Sequence, residues 1–323
     1  MKVTNLYRYA VKGLSGDELS KVHIGSPGET FPDDRRFALL QADRREKFKV
    51  GEWLHKENFL CAFSAPELLA KLKSSYSIRI PGSDTDGTTT QGRSQGWPCD
   101  VVDSTNDEYQ RILTLRERAT GEVLLNPLDL QIAHDRQILA DFLSKRCNRH
   151  VVCVTADDQE RQMQNDEKNK GDPIHIHQFG NTSSGNKHRG DTRTIHIVNQ
   201  ATVRHVAETL GMDPSALTAS RFRPNIVVDD VDAWSEFAPN DATGGWIGKT
   251  LWEPTSGFRC KVLARTVRCQ GVSVDPLRPQ DEPLDIPALL AQHYPQYGPY
   301  LGVYAAIETP GILHLGSRLE LLN

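Results

Sequence analysis

The sequence has no CxxC pair and no tight cluster of metal ligands. Its six cysteines, Cys61, Cys99, Cys147, Cys153, Cys260 and Cys269, are scattered along 323 residues. That spacing defines neither a zinc site nor a disulfide framework, and reduced thiols in a cytosolic protein are the simplest reading. No run approaches the ~20 apolar residues that span a bilayer. The opening MKVTNLYRYAV has neither a signal peptide nor an Arg-rich transit segment. A cytoplasmic protein with no transmembrane segment is therefore expected. Also missing are a phosphate loop, GxSxG, HExxH and a dinucleotide fingerprint, which removes the commonest nucleotide and hydrolase chemistries. Lys and Arg number 38 against 42 Asp and Glu, a net charge of −4. No overall basic field exists to draw nucleic acid, so any anion site must come from locally gathered cations.

What is present is an ordinary globular balance, 38% hydrophobic and 25% charged, in a length that suits two domains or one large one. Strand-like runs are expected at 3–11, 37–40, 77–80, 151–155 and 195–198, with a hairpin from 111–115 to 122–125 around Ala119-Thr120-Gly121. Helices are expected at 66–72, at 134–147 (Ile138, Leu139, Phe142 and Leu143 on adjoining positions) and at 285–293. A further helix follows Asn199 as its cap, with Val203, Val206, Ala207 and Leu210 on one face and Gly211 at its end. Short strands then fill 225–229, 246–252, 261–269, 301–307, 312–315 and 318–322, with Thr309-Pro310-Gly311 suited to a type II turn. Residues 81–107 and 157–191 are polar and read as surface loops. The expected class is α+β and β-rich, with barrel-like sheets and peripheral helices.

Three groups carry chemistry. His175 and His177 lie in the second polar loop with no third ligand near them, which favours a solvated loop over a metal site. Arg268-Cys269 sets a thiol beside a cation at the end of an expected strand. That is the setting of a good soft ligand or nucleophile, and equally of a buried structural cysteine. In Phe222-Arg223-Pro224-Asn225 the proline is expected to push Arg223 into extended geometry. The strand pleat would then put Asn225 on the same face. The group either aims a guanidinium at an anion or merely opens a surface strand.

Taken in order, these segments resemble the MOSC family, named for the molybdenum-cofactor-sulfurase C-terminal domain. The similarity is to the branch with an N-terminal MOSC β-barrel domain, to which the mitochondrial amidoxime-reducing components belong. Tyr9-Ala-Val-Lys12-Gly13-Leu-Ser-Gly16 is similar to the family's YPVKSxxG, and Asp34-Arg35-Arg36-Phe37 to its DRxW/F element. Asp191-Thr192 followed by a strand and Asn199-Gln-Ala-Thr202 is similar to DTS…LxxLSEAS. Phe222-Arg223-Pro224-Asn225 matches FRPN, Arg268-Cys269 with Val274-Asp275-Pro276 matches RCxxTxVDP, and Gly302-Val-Tyr304 with 310–316 matches the closing FGxY…PGxixvGD. Gly13, Arg193 and Val267 depart from the pattern.

The resemblance implies a β-barrel-like domain at 1–128 and a MOSC β-barrel domain at 129–323. It implies a molybdenum–molybdopterin cofactor with Cys269 as metal ligand and catalytic thiolate. Lys12, Arg35, Arg223 and Arg268 would contact the phosphate or polar edges of the pterin, Thr192 and Asn225 would hydrogen-bond it, and Tyr304 would help close the site. The implied activity is reduction of small N-hydroxylated compounds with electrons from a separate donor, a cytochrome b5-like protein or a flavoprotein. Sulfur transfer through a Cys269 persulfide and non-enzymatic cofactor carriage are the alternatives.

Overall fold

The computed structural model describes residues 1–25, 27, 30–48, 54–79, 109–155, 193–238 and 245–323. Its centre is an eight-stranded sheet. The strand order is β15 (Glu320–Leu322), β11 (Thr250–Trp252), β12 (Arg259–Val267), β13 (Tyr300–Thr309), β9 (Ile195–Asn199), β10 (Ile226–Asp229), β1 (Lys2–Arg8) and β2 (Asp17–Leu19). β9 is buried at every position, and it pairs in parallel with β10 on one side and antiparallel with β13 on the other. A strand enclosed on both faces reads as a continuous apolar run, which is what Ile195-His-Ile-Val supplies. The parallel pair needs a crossover, provided by α3 (Gln200–Thr209). The Asn199 side chain accepts a bond from the Ala201 amide at 3.0 Å to start α3, while Thr202, Val203, Val206 and Ala207 face inward.

Two further strands, β3 (Lys21–Ile24) and β14 (Gly311–His314), form a separate ribbon. The ladder of named strands is open, with β15 and β2 at its ends, so a closed barrel is not what they form. The segment leading into β15 nevertheless returns to β1. The Val3 amide donates to the Ser317 carbonyl, Gly316 to Val3 and Leu319 to Met1, and the sheet curls back on itself.

A second layer holds β5 (Leu72–Arg79), β6 (Gln110–Glu117) and β7 (Val123–Asp129) as an antiparallel sheet, with β4 (Phe37–Gln41) paired to β8 (Val151–Thr155). β5 alternates buried and exposed at every residue, so Leu72, Ser74, Tyr76 and Ile78 all point inward. α1 (Pro66–Lys71) leads into β5. α2 (Ala133–Cys147) lays Leu139, Ala140 and Leu143 onto this core. α4 (Ile286–His293), capped by Asp285, packs on the larger one.

The two cores divide the chain differently from a cut at 128/129. Val3, Leu6, Leu19, Val22, Ile24 and Phe31 belong to the core built by 195–319, whereas Leu139, Leu143 and Val151 belong to the core of β5–β7.

Several local expectations are corrected. β2 and β3 come from a stretch with no strand signal in the reading above. β11 is confined to Thr250–Trp252 because Gly248, at φ +81°, turns the chain before it. Gly311 does not take a positive φ, so no type II turn forms there. Glycine is needed instead because a Cβ would sit 2.7 Å from the Phe258 Cβ. The polar stretches 81–107 and 157–191, with His175, His177 and Thr192, lie outside the described residues.

Candidate functional site

The segment Asp33-Asp34-Arg35-Arg36 bends sharply, with Asp33 (φ 59°) and Arg35 (φ 52°) both left-handed. Non-glycine residues hold such a backbone only when their surroundings fix it. Asp33 is fixed from three sides. The Tyr76 hydroxyl donates to it at 2.7 Å, the Arg111 Nε at 3.0 Å and the Arg36 Nη1 at 3.3 Å, all within the smaller core. Asp34 turns the other way, accepting the Tyr9 amide at 2.7 Å and the Arg35 Nη1 at 2.5 Å. The Arg35 amide donates to the Tyr9 carbonyl at 2.7 Å. One aspartate anchors the loop, and the next aims Arg35.

Arg35 and Arg223 then meet around Tyr9, while Lys12, over the Phe59 ring at 5.0 Å, is near enough to feel both charges. The Arg223 guanidinium lies 4.3 Å from the Tyr9 ring centroid and that of Arg35 5.7 Å. Burial pushes Lys12 down to about 8, with Cys61 opposing and the charges of Arg35 and Arg223 adding to the fall. Burial works against the charge of Arg35 too, but Asp34, Tyr304 and Tyr9 outweigh it and hold the group above its ordinary value. Burial and then repulsion from Arg35 lower Arg223, with Tyr9 and Asp34 working the other way. Among the described residues no carboxylate comes within ion-pairing distance of Arg223.

Arg223 is left-handed rather than extended, at φ 55° and ψ 52°. It closes the short 3-10 turn Ala219–Phe222. Pro224 disfavours the right-handed α region for Arg223, and the chain takes the left-handed well. Asn225 precedes β10 instead of sharing a strand face with Arg223. Its amide oxygen accepts the His196 amide at 3.0 Å and its nitrogen donates to the Tyr7 carbonyl at 3.2 Å. Asn225 thus braces β9 against β1 directly beneath the site.

Arg268 is buried. Its Nε donates to the Leu301 carbonyl at 2.8 Å and its Nη1 to the Phe222 carbonyl at 3.2 Å. Its Nη2 contacts the same Leu301 oxygen and lies 2.5 Å from His196 Nε2. Burial lowers Arg268 to about 10, while Tyr304 and Cys269 oppose that fall. His196, far below its usual value because of burial and the adjacent Arg268, stays neutral; its Nδ1 faces the Arg223 carbonyl at 3.3 Å. The Tyr304 ring lies 5.4 Å from that of His196. Gly302, at φ +76°, leaves room for this arrangement, since a Cβ would fall 2.7 Å from His196 Nε2.

Cys269 is half-exposed and lies two residues beyond β12, capping the 3-10 turn Gln270–Val272. Buried Arg221 holds the following loop. Its Nε donates to Val272 and its Nη2 to Ser273, and its Nη1 lies 3.8 Å from Asp275. The Val274-Asp275-Pro276 signal is thereby explained as loop architecture. The turn also packs closely on the Ala62-Phe63 backbone, because a Cβ at Gly271 would be 3.3 Å from the Phe63 amide. Gly13 has a similar cause: its φ is +96°, and a Cβ would meet Cys61 Cα at 2.8 Å.

The structure therefore brings Arg35 and Arg223 together around Tyr9, with Lys12 close enough to feel their charges, and Arg268 and Tyr304 together around His196. Cys269 follows Arg268 directly in the chain. Tyr9, Asp34, His196, Cys61 and Arg221 also belong to these surroundings and were not among the expected site residues. Tyr9 and Asp34 stood inside the quoted motifs; His196 carried no signal beyond being a polar residue in an apolar strand. No group of three or more His, Cys, Asp or Glu suited to a metal ion occurs among the described residues. Among the described residues no helix is long and apolar enough to cross a membrane.

Residues 184–320 match the family model of the MOSC domain. No curated protein matches the sequence. Among solved structures the chain is similar to YiiM from Geobacillus stearothermophilus, at 16% identity and a TM-score of 0.28. That match covers 40% of this chain and 54% of YiiM, so the chain spans about half the length of that relative. It is also similar to the YuaD protein from Bacillus subtilis, at 16% identity and a TM-score of 0.31, covering 45% of this chain and 76% of that one.

Proposed function

We propose that this site binds a molybdenum–pterin cofactor, with Cys269 as the thiolate on the metal and Lys12, Arg35 and Arg223 toward the phosphate or polar edges of the pterin. The observation that carries the reading is Arg223, a half-buried guanidinium set over the Tyr9 ring with no carboxylate at ion-pairing distance among the described residues. A cation held this way is costly unless an anion completes it. The donor set fits the group: forked cations for a phosphate, and a soft half-exposed thiol for a sulfur-ligated metal.

When bound, the molybdenum centre supplies two-electron redox chemistry. The chain's own residues bind and orient. Arg35 and Arg223 offer planar forks of donors. Arg268 has most of its donors engaged by Leu301, Phe222 and His196. Its part is to fix the chain before Cys269 and to add positive charge that favours the thiolate. Tyr304 borders the site beside His196, Asn225 braces it, and Thr192 would add a hydrogen bond.

The reaction proposed is reduction of small N-hydroxylated compounds in the cytoplasm, with electrons from a separate cytochrome b5-like protein or flavoprotein. The half-exposed Cys269 also suits a persulfide for sulfur transfer, and a carrier would use the same cations without turnover. Molybdenum analysis of the purified protein, combined with an N-reduction assay, separates these. The oxidoreductase requires both metal and turnover; metal without turnover indicates a carrier, and sulfur transfer without metal indicates the persulfide route.

A further inference from the structure

Arg35 and Arg223 repel one another, yet the fold sets both against one aromatic ring. Tyr9 is buried, and three features fix it in place. Its amide donates to Asp34, its carbonyl accepts from the Arg35 amide, and Gly16 leaves its ring edge clear. A Cβ at Gly16 would lie 2.6 Å from the Tyr9 Cε1. Tyr7 stands 6.4 Å behind, tilted by 37°. Asp34 is an ion-pair partner of Arg35; Arg223 has the Tyr9 ring at 4.3 Å instead. The negative face of an aromatic ring attracts cations, most strongly where water is excluded.

We propose that Tyr9 is a positioning residue whose ring gathers the Arg35 and Arg223 guanidiniums into a paired fork for a doubly charged phosphate monoester. The inference rests on the reading above that the site takes a phosphate-bearing pterin. It adds a cause for the convergence of two like charges where only one carboxylate, Asp34, contacts either of them among the described residues. Each guanidinium presents five N–H donors in a rigid plane, and the ring offsets part of their repulsion before the ligand arrives. A dianion then completes a site that is already assembled.

The test uses the full chain freed of ligand, titrated with inorganic phosphate by calorimetry at low ionic strength. Wild type, Tyr9→Phe, Tyr9→Leu and a protein with a fluorinated phenylalanine at position 9 are compared. Tyr9→Phe keeps the electron-rich face and should bind phosphate within about two-fold of wild type. Tyr9→Leu and the fluorinated ring should weaken it roughly five- to ten-fold. The fluorinated ring keeps the shape of phenylalanine, so that pair decides the matter even if Tyr9→Leu fails to fold. Equal affinities in the phenylalanine and fluorinated proteins would overturn the proposal, as would absence of phosphate binding by wild type. Molybdenum content of the wild type, measured separately, keeps the two readings apart. Ring-dependent phosphate binding without molybdenum sinks the cofactor and leaves the fork standing. Molybdenum with ring-independent phosphate binding does the reverse.

Discussion

Two groups of arginines, one buried and one half-buried, lie within one short loop of each other and are treated in different ways. Around Asp33 each arginine touches a carboxylate: Arg111 and Arg36 both reach it and Tyr76 donates a third bond. Around Tyr9, Asp34 contacts Arg35, while Arg223 is left to an aromatic face. The first arrangement is complete without a ligand and fixes the loop. The second is a half-buried positive cluster that, on the function proposed above, an anion completes. A protein can hold such a cluster because the neighbouring balanced network secures the backbone that carries it.

The largest expected effect comes from breaking the balanced side. Asp33→Ala strips Arg111, Arg36 and Tyr76 of their shared acceptor and should cost about 3–5 kcal/mol in urea unfolding. A loss under about 1 kcal/mol would mean the network is not the anchor described.

The mirror image of Arg223 is Glu236, a buried carboxyl in the larger core. Its carboxyl accepts from neutral groups, Asn199 Nδ2 at 2.9 Å and the Thr202 hydroxyl at 2.8 Å, and no cation pairs with it among the described residues. Burial raises it to about 7, against the opposing bonds from Asn199 and Thr202. The folded state therefore holds a proton that the unfolded chain releases near its ordinary, lower value. Stability should fall as pH rises from the ordinary glutamate range through about 7, by roughly 2–3 kcal/mol. Glu236→Gln should remove that slope in thermal unfolding followed against pH; an unchanged slope assigns it to other groups.

Arg223→Ala tests the unbalanced side. Loss of a charge-assisted contact should weaken cofactor binding roughly ten- to a hundred-fold, about 1.5–3 kcal/mol. Unfolding of the ligand-free protein should be unchanged or slightly improved, because a desolvated cation is removed. Arg223→Lys should recover part of the affinity, since a point charge replaces the fork. Equal occupancy in wild type and Arg223→Ala at limiting cofactor would reduce the FRPN match to backbone architecture. The smallest effect on folding is expected at Cys269→Ala, about 1 kcal/mol for a half-exposed thiol, together with loss of molybdenum-dependent activity. Normal metal content and activity in that variant would end its assignment as ligand.

Much of the fold was legible because its signals are local. The cap at Asn199, the periodicity of α3 and the apolar run of β9 all act within a few residues, whereas β5 was expected only from 77 and begins at Leu72. β2 and β3 were not, because three- and four-residue strands owe their existence to partners such as Leu6 and Leu313 that lie elsewhere in the chain. At the site, the motifs gave Lys12, Arg35, Arg223, Arg268 and Tyr304 but misassigned how some of them act. Arg223 is left-handed, Asn225 is engaged with backbone, and Arg268 has spent most of its donors. His196 was invisible, since nothing in Ile195-His-Ile tells a buried neutral imidazole from an edge residue.

By itself the sequence determined which residue types were available and the positions of most of the longer strands and helices, because backbone propensity and side-chain alternation are properties of neighbouring residues. Only the tertiary structure decided which cation has a counter-ion. Asp33 finds Arg111 from 78 residues away. Arg268 meets His196 across 72. Tyr9, in the strand end beside Asp34, meets Arg223 from the far part of the chain. Charge compensation depends on distance and on exclusion of water, and both are set by which segments the two cores bring together.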